Sequence, residues 1–254
     1  MVKLLFLGSG SAFTVGTDNY QSNMLLVDEL GNKLLIDCGS DIRFSLHKAN
    51  FSYLDITDIY ISHLHCDHVG GLEYIGFSSK FDSRCKKPRL YLSKDVAMDL
   101  WHKTLSGGMT SIGGNIADLN SFFEVNLLKI NDHFIWNNIV FYLIKVFHVH
   151  NGFYLMPTYG LFFKVNNTKV FITTDTQLNQ KLLGKYYDSA NLIFHDCETS
   201  EIPTNIHAHY NQLIKLPKQI KNKMWLYGYQ PGELPDAQQD NFKGFVTRGQ
   251  IFEF

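Results

Sequence analysis

His63-Leu64-His65-Cys66-Asp67-His68 packs three imidazoles and a carboxylate into one short stretch, directly behind the apolar run Ile59-Tyr60-Ile61. Side chains alternate between faces along an extended backbone, so His63 and His65 share one face. Asp67 and His68 then turn away and address a second position. Imidazoles suit zinc, and a carboxylate can bind zinc or hold an attacking water. A chance polar turn does not explain this density of ligand groups behind a buried strand.

Working outward, Val2–Leu7 reads as a buried strand that ends in Gly8-Ser9-Gly10-Ser11. Asn23–Val27 and Lys33–Ile36 read as strands joined by the turn Glu29-Leu30-Gly31-Asn32. Asp37-Cys38-Gly39 closes the second of these, and Asp41–Ala49 reads as a short helix. Ile56–Ser62 is the strand that delivers the histidines, and Gly70-Gly71-Leu72-Glu73 opens a helix. A strand at Leu90–Leu92 and a helix over Lys94–Leu105 follow. The Gly-rich stretch Ser106–Asn115 reads as a loop, either a lid or a connector. Phe122–Ile130, Ile139–Phe147, Gly160–Val165 and Val170–Thr173 read as strands. Leu178–Leu183 and His209–Pro217 read as helices, and Ile193–His195 and Met224–Tyr227 as late buried strands. The pattern fits an α/β sandwich of two β-sheets flanked by helices, a single domain over 1–254.

Charge excludes some functions. Lys and Arg total 23 against 24 Asp and Glu, a net charge of -1, which argues against a broad nucleic-acid surface. No CxxC pair occurs among Cys38, Cys66, Cys85 and Cys197, so they read as reduced thiols of a cytoplasmic protein. The N-terminus lacks a charged segment followed by an apolar core and cleavage site, and no apolar run approaches the roughly 18 residues of a membrane helix. Gly8-Ser9-Gly10 is no phosphate-binding loop, because no Gly-Lys-Ser/Thr follows.

His-x-His-x-Asp-His behind a strand, followed by Gly-Gly, resembles the signature of metallo-β-lactamase-fold hydrolases, and the likeness spans nearly the whole chain. Leu7–Ser11 is similar to the first loop of the ribonuclease Z-like branch. Leu35-Ile36-Asp37-Cys38-Gly39 is similar to its second landmark, where an Asp buttresses the metal loop. The resemblance implies an αββα sandwich and a two-metal site. His148, with His150 as the alternative, would join His63 and His65, and Asp175 in Thr173-Thr174-Asp175-Thr176 would bridge both ions. Asp67, His68 and Asp175 would hold the second ion. The branch's last ligand is a His at the end of a late strand, but this chain has Leu226-Tyr227-Gly228-Tyr229. Two Zn2+ per chain are expected, with Mn2+ as the alternative metal. The second site would be weakened unless water or His209 fills the gap, and Gly228→His is expected to strengthen it.

Ile193-Phe194-His195-Asp196-Cys197-Glu198-Thr199 resembles the branch's His-Glu-Ala-Thr segment, and Ile206-His207-Ala208-His209 its His-Ser-Thr segment. The likeness implies that Asp196 orients His207 as general acid, with His209 as the alternative, and that Asp67 holds the attacking water. Too few residues separate His148 from Asp175 for the long arm of the tRNA-processing members. The short layout is similar to cyclic-nucleotide phosphodiesterases of the anti-Pycsar type. That implies a homodimer acting on cCMP, cUMP, cAMP or cGMP, in the host cytoplasm if the gene is viral. Phe13, Tyr20, Phe153, Tyr154 and Tyr159 are candidates for stacking a base. Two other classes stay open: a nuclease on tRNA 3′ ends, and an impaired nucleotide-binding homologue, for which Gly228 is the support.

Overall fold

In the computed structural model, which describes residues 1–16, 18–129 and 132–254, the cluster stands behind a wholly buried strand. The first half of the chain forms β1 (Lys3–Phe6), β2 (Met24–Val27), β3 (Lys33–Ile36), β4 (Asp58–Ile61), β5 (Arg89–Ser93), β6 (Ser111–Ile112), β7 (Asn115–Ile116) and β8 (Glu124–Leu128). The second half forms β9 (His133–Trp136), β10 (Ile139–Val146), β11 (Thr158–Val165), β12 (Thr168–Ile172), β13 (Leu192–Asp196), β14 (Met224–Tyr227), β15 (Gly244–Phe245) and β16 (Ile251–Glu253).

One sheet runs β16-β1-β2-β3-β4-β5-β8 and the other β15-β14-β13-β12-β11-β10-β9. Leu34, Leu35, Ile59, Tyr60 and Ile61 are buried on both faces, so β3 and β4 read as continuous apolar runs rather than alternating ones. The sheets meet through aromatic rings. Phe6 lies 5.3 Å from Phe194, and Tyr60 stacks 5.8 Å from Phe134. Each such buried ring contributes about 2–3 kcal/mol by leaving water. Helices cover the outer faces. Ile42 and Leu46 of α1 (Ile42–Lys48) and Leu72 and Ile75 of α3 (Leu72–Phe81) join the first sheet's core; α2 (Cys66–Val69) carries part of the histidine cluster. Leu183 and Tyr187 of the helix Gln180–Ser189 pack with Phe171 and Ile193 of the second sheet.

Several boundaries differ from the sequence reading. The helix expected over Lys94–Leu105 is α4 (Lys94–Asp99) followed by a π-helical turn, Leu100–Leu105. The expected Gly-rich loop is a further helical turn, Ser106–Met109, and the β6–β7 hairpin, which turns on Gly113 and Gly114 at φ 36° and 87°. At Gly108 a Cβ would stand 2.8 Å from Glu73 Oε2, the far end of a flexible side chain that can move aside. The helix expected over His209–Pro217 is only Tyr210–Leu213, while the one read at Leu178–Leu183 starts at Gln180, behind its Asn179 cap, and runs on to Ser189. Strands β9, β15 and β16 went unread; β15 and β16, at two and three residues, are too short to show periodicity. Ile130, the end of the strand read from Phe122, lies outside the described residues.

Candidate metal centre

The ends of β4, β10 and β12 bring the ligand-type side chains to one edge of the sandwich. β4 stops at Ile61 and presents His63 and His65; β10 stops at Val146 and presents His148. β12 stops at Ile172, and Thr174 at φ 53° turns Asp175 inward. A β-branched residue in the left-handed region is strained by about 1–3 kcal/mol. Two crossed hydroxyl bonds hold it: Thr173 Oγ1 donates to the Thr174 carbonyl at 2.9 Å and Thr174 Oγ1 to the Thr173 carbonyl at 2.6 Å.

His63 Nε2 and His148 Nε2 each lie 3.1 Å from His65 Nδ1. They lie 3.8 and 3.7 Å from Asp175 Oδ2. Donors around a tetrahedral ion with bonds near 2.1 Å stand about 3.4 Å apart, so these four atoms fit one ion with small adjustments. His68 Nε2 lies 3.1 Å from Asp67 Oδ2 and 3.3 Å from the same Asp175 Oδ2, a second group one donor short of four. The donor chemistry, imidazole with carboxylate, suits zinc and manganese.

Bonds behind the rings settle which nitrogens face inward. His148 Nδ1 donates to the Ile206 carbonyl at 3.0 Å, which leaves Nε2 as the lone pair. His68 Nδ1 donates to Asp37 Oδ2 at 2.7 Å, and Ser62 N and Oγ donate to the two Asp37 oxygens at 2.8 Å each. Asp37 thus ties the ends of β3 and β4 together beneath the histidines, itself at φ 61°. Burial pushes His63 well below the ordinary histidine range and takes His148 down to about 4, so both are held neutral, the form that binds a metal. His68 goes the other way: burial opposes its charge, but Asp175, Asp67 and Asp37 together raise it.

β13 ends in Asp196, which is buried. Asp196 Oδ2 accepts from Thr176 N at 2.9 Å and stands 2.7 Å from His207 Nδ1. Burial works against a charge on His207, yet Asp196 and Asp175 raise it to about 10. With Nδ1 so engaged, Nε2 is the atom free to meet a ligand. His207 Nδ1 lies 3.8 Å from Asp175 Oδ2, which places the pair at the rim of the cluster.

The sequence profile described as anti-Pycsar protein Apyc1 matches residues 2–252. The chain belongs to the anti-Pycsar Apyc1 family. It is 34% identical over 235 residues to the anti-Pycsar protein Apyc1 of Paenibacillus harenae, covering 92% of this chain and 91% of that one. It is 31% identical to the anti-Pycsar protein Apyc1 of Bacillus phage vB_BveM-Goe7, covering 89% and 88%. Among solved structures it resembles the metallo-β-lactamase fold protein YhfI from Bacillus subtilis, with a TM-score of 0.75 at 13% identity over the full length of both chains. The fold is therefore the metallo-β-lactamase αββα sandwich expected from the His63–His68 motif.

Four expectations need correction or choice within the family's framework. His150 is exposed, and its Nδ1 accepts from Gly152 N at 3.1 Å, so His148 alone joins the cluster. His209 turns away: its Nε2 bonds the Ser200 carbonyl at 2.9 Å and its Nδ1 accepts from Asn211 N, capping a helical turn. It neither fills the second position nor competes with His207. Tyr159 is fully buried with its hydroxyl on Asp95 Oδ2 at 3.0 Å, and offers no face to a base. Gly228 sits at φ +80°, where a Cβ would stand 2.8 Å from Asp196 Oδ1, so Gly228→His could add a ligand only by displacing Asp196. Residues the sequence reading missed include Ser62, Thr174 and Ile206. Ser62 contributes its amide and hydroxyl to Asp37, Thr174 a left-handed turn and Ile206 a carbonyl, and the last two leave no mark in residue type.

Proposed function

We propose that the chain is a metal-dependent phosphodiesterase that opens 3′,5′-cyclic mononucleotides to nucleoside 5′-monophosphates and so counters cyclic-nucleotide antiviral signalling. The observation that carries this is the convergence of both ligand groups and the His207–Asp196 pair on one oxygen, Asp175 Oδ2. His63, His65, His148 and Asp175 would hold one ion, and Asp67, His68 and Asp175 the other. We assign Zn2+ to both, with Mn2+ as the alternative. Bound there, the ions supply Lewis acidity and lower the pKa of water enough for attack at neutral pH.

The chain's own groups do the rest. Asp67 would hold the attacking water and take its proton. Protonated His207 gives a proton from Nε2 to the departing ribose O3′, and the P–O3′ bond breaks. Asp196 stays ionised and stabilises the imidazolium until then. Only β11 and β12 fill the chain between His148 and Asp175, which supports a small substrate over tRNA. A cavity of about 510 Å3 opens beside the Gly228 turn, lined by Thr14, Gly16, Asn19, Tyr229, Pro231 and Arg248. That is room for a nucleotide base. Among the described residues no helix is long and apolar enough to cross a membrane. Homodimerisation and a cytoplasmic site of action are carried over from the family resemblance.

The test is a panel of cCMP, cUMP, cAMP and cGMP beside 3′-extended tRNA, with and without added Zn2+ or Mn2+. Cleavage of a cyclic nucleotide with no tRNA trimming is expected; the reverse would move the chain to the nuclease class. The incomplete second ligand group favours one other reading, an impaired protein that binds a nucleotide without cleaving it. Two metals per chain by elemental analysis, together with turnover, would exclude that reading.

A further inference from the structure

Ile206 and His207 sit side by side on one loop, and each serves the cluster. The Ile206 carbonyl fixes the ring of His148, and His207 meets Asp196. Nothing apolar anchors the tip of this loop: residues 201–205 are exposed, Ile202 at 80%. Its base is closed by Glu198 N donating to the Ala208 carbonyl and Tyr210 N to the Glu198 carbonyl, both at 2.9 Å. The Glu198 side chain turns inside the loop and is only 1% exposed. Its two oxygens accept from Thr204 N at 3.1 Å each, and Oε1 accepts from Ser200 Oγ at 2.8 Å. A carboxylate buried this deeply needs hydrogen bonds to offset its desolvation. Here the donors come from the loop itself, so the side chain and the loop order each other through the position of these contacts.

We propose that Glu198 is a positioning residue, a pin that holds loop 199–207 so that Ile206 fixes His148 and His207 faces the departing oxygen. The His148 half stands on geometry alone. The His207 half rests on the phosphodiesterase reading.

Three variants separate the pin from charge and from bulk. Glu198→Ala removes it, and Glu198→Asp shortens it by one methylene while keeping the charge and filling more of the space. Glu198→Gln keeps both contacts: its Oε1 accepts from Thr204 N, and its Nε2 donates to Ser200 Oγ. In metal-free protein, backbone amides of residues 200–207 should exchange with deuterium faster in the Ala and Asp variants than in wild type or the Gln variant. Titration with Co2+, followed by its visible absorption, should show roughly 10-fold weaker binding in the same two. At saturating metal these two should lose at least roughly 10-fold in kcat on a cyclic nucleotide, whose alkoxide leaving group needs a proton. Their rate on bis(p-nitrophenyl) phosphate, whose leaving group needs none, should hold. A Gln variant as poor as Ala, equal losses on both substrates at saturating metal, or unchanged exchange and Co2+ affinity would each overturn the proposal. If wild type cleaves neither substrate while the exchange and Co2+ results hold, the phosphodiesterase reading fails and the pin on His148 stands.

Discussion

His207 Nδ1 stands 2.7 Å from Asp196 Oδ2, and the carboxylate it meets is buried at the end of a core strand. The bond fixes the imidazole's orientation and leaves Nε2 as its only working nitrogen. His207→Ala should lower turnover of a cyclic nucleotide about 10²- to 10⁴-fold, the usual range for a lost proton donor. Asp196→Asn should lose a large part of the same factor. Both should act on kcat far more than on KM in steady-state assays. A His207→Ala enzyme with near wild-type kcat would remove His207 from the acid role.

Metal should bind in two steps of unequal strength. Four donors surround the first position and three the second. Calorimetric titration of chelated protein with Zn2+ should resolve a tight event and a weaker one, and Asp175→Asn should weaken both. At a hundredfold excess over Kd, an ion bound to the folded state alone adds about 2.7 kcal/mol, which is a rise in Tm of roughly 5–10 °C for a chain of this size. A single event of unit stoichiometry would show that the second position is lost.

Asp37→Ala should damage stability and metal binding together. It strips partners from Ser62 N, Ser62 Oγ and His68 Nδ1, all inside the core. Leaving buried donors unpaired at one site costs about 3 kcal/mol or more, visible in urea unfolding. Second-position affinity should fall about 10- to 100-fold as His68 loses its orientation.

His195 makes stability sensitive to acid. It is fully buried, with Nδ1 donating to the Asp196 carbonyl and Nε2 accepting from Tyr187 OH at 2.7 Å. Burial lowers its pKa from the usual 6.5 to about 4. Between those values the unfolded chain takes up a proton that the folded chain refuses, so stability falls as pH drops from 6.5 towards 4. The full loss is about 3 kcal/mol from this residue. Metal-free protein should show a lower Tm at pH 5 than at pH 7, and His195→Asn should shrink that difference.

Gly228→Ala tests the close approach to Asp196. A Cβ at φ +80° is strained by about 1–2 kcal/mol and stands against Asp196 Oδ1. Thermal unfolding should register the loss, and turnover should fall because His207 depends on Asp196. Gly228→His should behave like Gly228→Ala in turnover even where it gains a metal contact. A His variant faster than wild type would show that Asp196 moves without cost.

Residue type alone carried the metal motif. His63, His65, Asp67 and His68 are contiguous and follow a strand whose apolar character is plain, so their spacing survives any detail of packing. His148 and Asp175 were legible through the ribonuclease Z-like pattern, which sets a ligand behind each of two strands, although choosing between His148 and His150 needed the tertiary structure. Helix and loop boundaries around 94–116 were not legible, since the four glycines of Ser106–Asn115 read as one loop where the chain forms a helical turn and a hairpin that turns on Gly113 and Gly114.

The sequence by itself determined the fold class and the likeness to the anti-Pycsar family, because these depend on local periodicity and on which side chains are present; the expected ligand set followed from that likeness. Only the tertiary structure decided that His207 rather than His209 meets Asp196, that Gly228 is held against Asp196, and that Glu198 lies inside the loop presenting Ile206. Those relationships join residues from different strands and loops through backbone carbonyls, left-handed turns and buried hydrogen bonds. Such contacts arise from the way the chain closes on itself, and no single stretch of sequence encodes them.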